Sequence, residues 1–325
     1  MKILITGATG FLGHHLVKRL MKEGYKVKIL KEESAQIDLL KGIEVESVIG
    51  DIRDLEAVKK AVKDCEIVFH LAGIIAYWSR LNRLQYEINV EGTQNVVRAC
   101  LENKIKRLIH VSSDVTIGVE EGKLANEETL YNLFPLKINY CDTKFLGEVE
   151  VYKGIAKGLD AVVVCPASMY GEGDIRKIKT DMTFDFKFPM NFFYPRGGIA
   201  VVDVEDVVEG LIRAWKMGKK GERYLLIGEN ITFYEMRKII AKELGRKPPS
   251  ISIPSWLFTL LAYVFLGISK ITKNRPKLTP EMARFNKIKF YFSNEKAEKE
   301  LGLKFKSFKE SIKRAIRWYK DNGYL

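Results

Sequence analysis

Three glycines within seven residues constrain this chain more than any other feature. The stretch "TGATGFLG" (6–13) follows the apolar run "KILIT" (2–6) and leads into a helical pattern at 12–23, so Gly7, Gly10 and Gly13 stand where a strand period gives way to a helix period. Gly7 permits the tight turn, Gly10 lets backbone N–H groups approach a ligand with no Cβ in the way, and Gly13 lets the new helix pack close to the sheet. The turn leaves a helix N-terminus with free N–H groups, a natural seat for phosphates, and Thr9, Phe11 and Leu12 complete it. A purely structural strand–helix turn can use the same glycines. Their place at the first strand of a long alternating series is what points to a dinucleotide.

That series is explicit. "KVKIL" (26–30), "VESVIG" (45–50), "EIVFHLA" (66–72), "RLIHVSS" (107–113) and "AVVVCP" (161–166) are short, β-branched and nearly continuous in apolar residues, as strands covered on both faces are. Helical stretches lie between them, among them 54–63, 84–103 and 140–158. The rhythm predicts an α/β fold, a doubly wound parallel sheet with right-handed crossovers. It breaks after residue 166 and returns over 201–227. The expected organisation is a dinucleotide-binding domain over 1–165, rejoined by 201–227. A smaller, mainly helical substrate lobe is expected over 166–325, including the inserts 171–200 and 228–325. With 325 residues, 46% of them apolar, the chain can build both.

Other residues fall where a dinucleotide needs them. The second strand ends at Lys31, followed by Glu32 and Glu33. An acid in this region binds a ribose 2′-hydroxyl, whereas a cation suits a 2′-phosphate. Lys31 therefore favours NADPH, and the two glutamates keep NADH open. In "GDIRD", Asp51 can accept from the adenine amino group with Ile52 against the ring. Leu71, Ala72 and Gly73 are small or slender enough for the cofactor backbone to pass.

The reactive groups come next. "VSSD" ends the fifth strand, at the carboxyl edge where open α/β sheets bind ligands, and "YCDTK" (140–144) puts Tyr140 and Lys144 on one helical face. A phenol of ordinary pKa is a poor acid–base catalyst near neutrality, and a neighbouring ammonium lowers it by stabilising the phenolate. Ser113 can hold a substrate oxygen beside Tyr140. A Tyr-x-x-x-Lys spacing alone is a chance event; with the glycine turn and the serine strand it reads as a catalytic set.

Taken in order, "TGATGFLG", "GDIRD", "VFHLAG", "INVEGTQNVV", "VSSDVTIG", "YCDTK" and "CPASMYGEGD" resemble the extended short-chain dehydrogenase/reductase family over nearly the whole chain. "YEINVEGTQNVVRAC", "GERYLLIGENITFYEM" and the tail "AEKELGLKFKSFKESIKRAIRWYKDNG" are most similar to its dihydroflavonol-reductase-like and 3β-hydroxysteroid-dehydrogenase-like branch. The resemblance implies a Rossmann fold with bound NAD(P) and catalysis by Ser113, Tyr140 and Lys144. It implies that Asn89 supports the site and that Pro166 to Met169, Ser168 included, line the nicotinamide. It also implies a homodimer built on the 84–103 and 140–158 helices. Two positions depart from many sugar-nucleotide members: Cys165 stands where they have Arg, and Ser168 where they have Asn. Asp114 matches the acid of the dehydratase members, but Val115 replaces their glutamate, which disfavours elimination of water.

Three function classes compete. The first is an oxidoreductase of a secondary alcohol and ketone, whose small-molecule substrate is apolar or polycyclic. The second is a nucleotide-sugar epimerase that recycles its cofactor. The third is a non-catalytic NADP-binding protein, disfavoured because Tyr140 and Lys144 are both kept. The formal net charge is +13, and residues 270–325 carry 16 Lys or Arg against 6 Asp or Glu. Such a tail can meet anionic partners, but Glu interleaved with Lys reads first as a solvated face, and no nucleic-acid motif accompanies it. The run "SWLFTLLAYVFLGISKI" (255–271) is shorter than the ~20 residues of a membrane span. An amphipathic or buried helix is the preferred reading there, and contact with a membrane surface the second. Cys65, Cys100, Cys141 and Cys165 lie far apart in apolar contexts, and the four histidines show no metal-ligand spacing. Free core thiols and a strand at the first residues predict a cytoplasmic protein with no metal.

Overall fold

The computed structural model describes residues 1–175, 178, 184 and 192–325. Much of the insert expected at 171–200 lies outside the described residues. Strands β1 (Lys2–Thr6), β2 (Lys26–Lys31), β3 (Glu46–Ile49), β4 (Ile67–His70), β5 (Arg107–Val111) and β6 (Ala161–Pro166) alternate with helices α1 (Phe11–Lys22), α2 (Leu55–Val62), α3 (Asn82–Tyr86), α4 (Gly92–Glu102) and α5 (Asn139–Ala156). Four short strands follow: β7 (Ser168–Tyr170), β8 (Phe193–Tyr194), β9 (Gly198–Asp203) and β10 (Arg223–Leu226). The last three are β11 (Glu229–Thr232), β12 (Ile251–Ser252) and β13 (Lys289–Phe290).

The main sheet has seven parallel strands in the order β10-β6-β5-β4-β1-β2-β3. The order reverses between β1 and β4, the switch point at which α/β sheets bind ligands. Its centre is dry: Ile3, Leu4 and Ile5 of β1 and all six residues of β6 are buried, which is why these strands read as unbroken apolar runs. The outer edge of β10 is partly satisfied without another strand, because the Leu225 N–H donates to the Glu127 carboxylate at 2.8 Å.

The return at 201–227 is divided between two sheets. β10 joins the main sheet beside β6, and the helix Val204–Met217 packs on α1, but β9 belongs to a second sheet with β7, β11 and β13. The lobe expected to be mainly helical therefore also carries this four-stranded sheet and the small β8–β12 pair. Its helices Phe233–Glu243 and Phe308–Asp321 each start with a capping box, Thr232 with Glu235 and Ser307 with Glu310. The tail is tied to the sheet domain by ion pairs: Lys306 meets Asp206, and Arg314 meets Asp203, the residue that caps Val204–Met217. Part of the basic surplus of the tail is thus spent inside the fold.

Candidate active site

The glycine turn forms as its residues require. Gly7 has φ +71°, and a Cβ there would lie 2.7 Å from the Ala72 backbone nitrogen. A Cβ on Gly13 would lie 2.2 Å from the Gly7 carbonyl oxygen and 2.6 Å from Ala8 Cα. The turn from β1 is thus folded tightly onto both α1 and the Leu71–Ala72 segment that leaves β4. Gly10 is the N-cap of α1; no side chain caps it, and the first turn holds no acid. Uncapped N–H groups beside a cradle that any Cβ would fill fit a dinucleotide pyrophosphate. Thr9 and Phe11 are partly exposed at its mouth, whereas Leu12 is buried beneath it.

Beside the ends of β2 and β3, where the sequence leads one to expect the adenosine, lies an open hollow of about 510 Å³ lined by Glu32, Glu33, Ser34, Ile49, Gly50 and Asp51. Lys31 stands at the end of β2 but is not part of that lining. The Asp51 carboxylate is already engaged: Arg53 donates to it from Nε at 2.9 Å and Nη2 at 2.6 Å, and holds its pKa below the usual carboxylate value. Sequence reasoning missed this guanidinium, although it stands in the same "GDIRD" motif. Ile52 is buried where a Cβ on Gly92, the first residue of α4, would strike its side chain.

At the carboxyl edge, Ser113 follows β5, and Tyr140 and Lys144 lie one turn apart on α5. They are 7%, 7% and 9% exposed. Ser113 lies beside the Tyr140 phenol, and its hydroxyl donates to Asp114 Oδ1 at 3.0 Å. Lys144 Nζ donates to the Val111 carbonyl at 2.9 Å. Burial pushes this ammonium down to about 8, with the Glu148 carboxylate acting in the opposite direction. The expected lowering of the phenol is not a property of the protein alone. Burial raises the Tyr140 pKa, the Ser113 hydroxyl opposes it, and the nearby Asp114 adds to it. Asp114 itself is pushed up to about 7 by burial, against its hydrogen bonds from Ser113 and the Val115 backbone.

Asn89 lies in a π-helical turn, Glu87–Glu91, set between α3 and α4. Its side chain accepts from the Ile74 N–H at 2.9 Å and donates to the Ile74 carbonyl and to Thr143 Oγ1, both at 3.1 Å. It therefore binds the loop after β4 to α5, and Gly73 sits within reach of both Asn89 and Lys144. Pro166 closes β6, and Ser168 and Met169 lie in β7, paired with β9, so the sheets meet beside the site. Cys165 is fully buried against Thr116 and Glu148, turned away from the site mouth.

Several supporting residues had no sequence signal. Glu148, one turn beyond Lys144, accepts from Ser112 Oγ at 2.7 Å and Thr116 Oγ1 at 2.8 Å and pairs with Arg223. It anchors α5 to the strand end that carries Ser113. His70 joins Thr6 and Thr93 beneath the glycine turn, at 2.7 and 3.0 Å. Tyr77 touches Tyr140 edge-on at a ring distance of 5.8 Å and Phe285 at the same distance, and Phe285 stacks on Phe290 at 4.4 Å. These rings give Tyr140 an aromatic flank drawn from both parts of the molecule.

Comparisons with known proteins agree with this architecture. Residues 3–227 match the model of the NAD dependent epimerase/dehydratase family. The chain is 29% identical over 327 residues to a putative dihydroflavonol 4-reductase of Synechocystis sp., covering 99% of this chain and 95% of that one. It is 31% identical to a 3beta-hydroxysteroid-dehydrogenase/decarboxylase (isoform 2) of Arabidopsis thaliana, covering 96% of this chain and 61% of that protein. Among solved structures, gox2253 superimposes with a TM-score of 0.86 at 29% identity over 99% of each chain. A UDP-glucose 4-epimerase of Thermus thermophilus in complex with NAD shares the fold at a TM-score of 0.75 and 20% identity, covering 98% of this chain and 99% of that one. On the family match, the seven-stranded sheet and the glycine cradle together, the chain belongs to the NAD dependent epimerase/dehydratase family.

Proposed function

We propose that the protein interconverts a secondary alcohol and a ketone, with Tyr140 as the acid–base group. One observation carries this reading: a phenol, its serine partner and a lysine lie nine-tenths buried together at the carboxyl edge of the sheet, beside the glycine cradle. The cradle, the hollow at β2–β3 and the Pro166–Met169 segment would hold the cofactor, which when bound supplies or accepts hydride. Ser113 orients the substrate oxygen through its hydroxyl. Tyr140 gives that oxygen a proton in the reducing direction and takes it back in the other. Lys144, held at the Val111 carbonyl, supplies positive charge beneath the phenol. Asn89 fixes the loop and helix that carry these groups, and the Tyr77–Phe285 flank excludes water and suits an apolar substrate.

For the cofactor, Lys31 supports NADPH by charge. The hollow lined by Glu32 and Glu33 favours the second reading, NADH, because carboxylates accept from a ribose diol and repel a 2′-phosphate. We also propose a homodimer through α4 and α5, on whose faces Leu101, Phe145, Leu146, Val149 and Ile155 remain only partly covered.

The discriminating experiment follows nicotinamide absorbance with a panel of ketones and secondary alcohols. Stoichiometric consumption of reduced cofactor by a ketone, abolished by Tyr140→Phe, is the expected result. Inversion of a nucleotide sugar with no net change in cofactor would replace this reading with the epimerase one.

A further inference from the structure

The helix Ser255–Thr272 is apolar around its whole circumference, yet only one side of it is packed. Phe258 and Ala262 are buried with Ile253, Leu278 and Ala283 in a small separate core, and Leu257, Leu261 and Phe265 lie at its border. The opposite side presents Trp256, Leu260, Tyr263, Val264, Ile268 and Ile271, one continuous stripe at helical spacing. Each is about half exposed or more, and Ile271 is 85% exposed. Isolated apolar side chains on a surface need no explanation, but six in one stripe mark a docking face.

The charge around this stripe identifies the partner. Between Glu243 and Glu281 the chain has no acidic residue and six basic ones, Arg246, Lys247, Lys270, Lys273, Arg275 and Lys277. The last four are exposed where the helix ends, and none of them forms an ion pair with a described residue. A second copy of the chain would bring to this face the same cations and no complementary charge. An anionic lipid surface supplies both an apolar layer for the stripe and phosphates for the cations. Trp256 and Tyr263 add rings of the kind that settle at such an interface.

We propose that this helix docks the protein, lying flat, on an anionic membrane surface. By length and composition alone this helix could cross a membrane, its eighteen residues rising about 27 Å against a hydrocarbon core of ~30 Å, but the fold holds it in the lobe. The inner face belongs to a core that Phe193 and Met282 share, and both ends run on into the folded lobe. Docking brings the segment Pro280–Phe285, which ends in the aromatic flank of Tyr140, next to the bilayer.

The test is sedimentation of the full chain with vesicles of phosphatidylcholine alone or mixed with phosphatidylglycerol. Binding to the mixed vesicles should exceed binding to the neutral ones by about tenfold or more and weaken with salt. Leu260→Glu with Val264→Glu should abolish binding to both. Lys270→Gln, Lys273→Gln, Arg275→Gln and Lys277→Gln together should erase the difference between the two vesicles. Unchanged thermal melting shows that the variants fold, and should the glutamate pair fail to fold, the glutamine set carries the test. The proposal is overturned if the mixed vesicles bind no better than neutral ones. It is equally overturned if light scattering shows a dimer, broken by the glutamate pair, in a protein that ignores vesicles.

Discussion

Lys144 Nζ donates to the Val111 carbonyl at 2.9 Å, at the end of the strand that leads to Ser113. The lysine is thus a brace between α5 and β5 as well as a charge, and its burial lowers its pKa to about 8. Turnover should fall as pH rises through about 8, where the ammonium is lost. The stability consequence has the opposite sign. The unfolded lysine titrates near its ordinary 10.5, so the unfolded chain binds more protons between about 8 and 10.5, and stability rises with pH across that window. Lys144→Met should therefore melt at a higher temperature than the parent at pH 7 while losing turnover and affinity for the cofactor. A lower melting temperature would mean that the hydrogen bond to Val111 outweighs the buried charge.

Tyr140→Phe keeps the ring against Tyr77 and removes only the proton donor. Cofactor affinity and folding should survive, and turnover should fall by roughly 10²–10⁴. Ser113→Ala loses one hydrogen bond to the oxygen and should cost less. Steady-state kinetics on any substrate found will rank the two.

Asp114 provides a separate pH signature. Its folded pKa of about 7 lies above the ordinary 3.8, so the folded state holds the extra proton in between. The stability that comes from this protonation is complete below about 4 and is lost as pH rises toward 7. Asp114→Asn should flatten that slope, raising stability at pH 8 by on the order of a few kcal/mol. Melting temperatures of both proteins at pH 5 and pH 8 will measure it.

Gly13→Ala tests the cradle. The added carbon meets backbone, not a flexible side chain, so the turn has to shift. A loss of about 1–3 kcal/mol of stability is expected, with a larger loss of cofactor affinity than of stability. Calorimetric titration with NADPH and NADH reads the affinity, and thermal melting reads the rest.

The two cofactors also separate the charges at the adenosine end. NADPH should bind more tightly than NADH, and Lys31→Ala should narrow the difference. Glu32→Gln with Glu33→Gln should widen it. A parent that prefers NADH would transfer the decisive role to the glutamates.

The sheet was legible because its central strands are buried on both faces and so read as unbroken apolar runs; the helix carrying Tyr140 and Lys144 was expected at 140–158 and lies at Asn139–Ala156. The lobe was not legible in the same way. β8, β12 and β13 are two residues long and β7 three, too short to display a period of two, so their sheets went unread. The π turn at Glu87–Glu91 sits inside an ordinary helical pattern, and only the bonds of Asn89 reveal why the extra residue is there. Glu148 and His70 gave no signal because their partners are remote in sequence: Ser112 lies 36 residues from Glu148, and Thr6 lies 64 from His70. Arg53 was visible but was passed over, since its pairing with Asp51 needs a turn that spacing does not announce.

The ion pair between Arg314 and Asp203 bears on how the molecule is made. By residue 227 the ribosome has delivered every strand of the main sheet and the helix that Asp203 caps. The cation that meets the Asp203 carboxylate arrives almost ninety residues later, in the last helix. β10 waits as well, since Tyr224 and Glu222 find Glu300 and Lys296 only in the helix Glu295–Leu301. The nascent chain therefore holds a complete sheet whose supports are still inside the exit tunnel. Translation that stops short of residue 295 leaves Asp203, Asp206 and Glu222 without Arg314, Lys306 and Lys296, the cations that meet them in the finished fold.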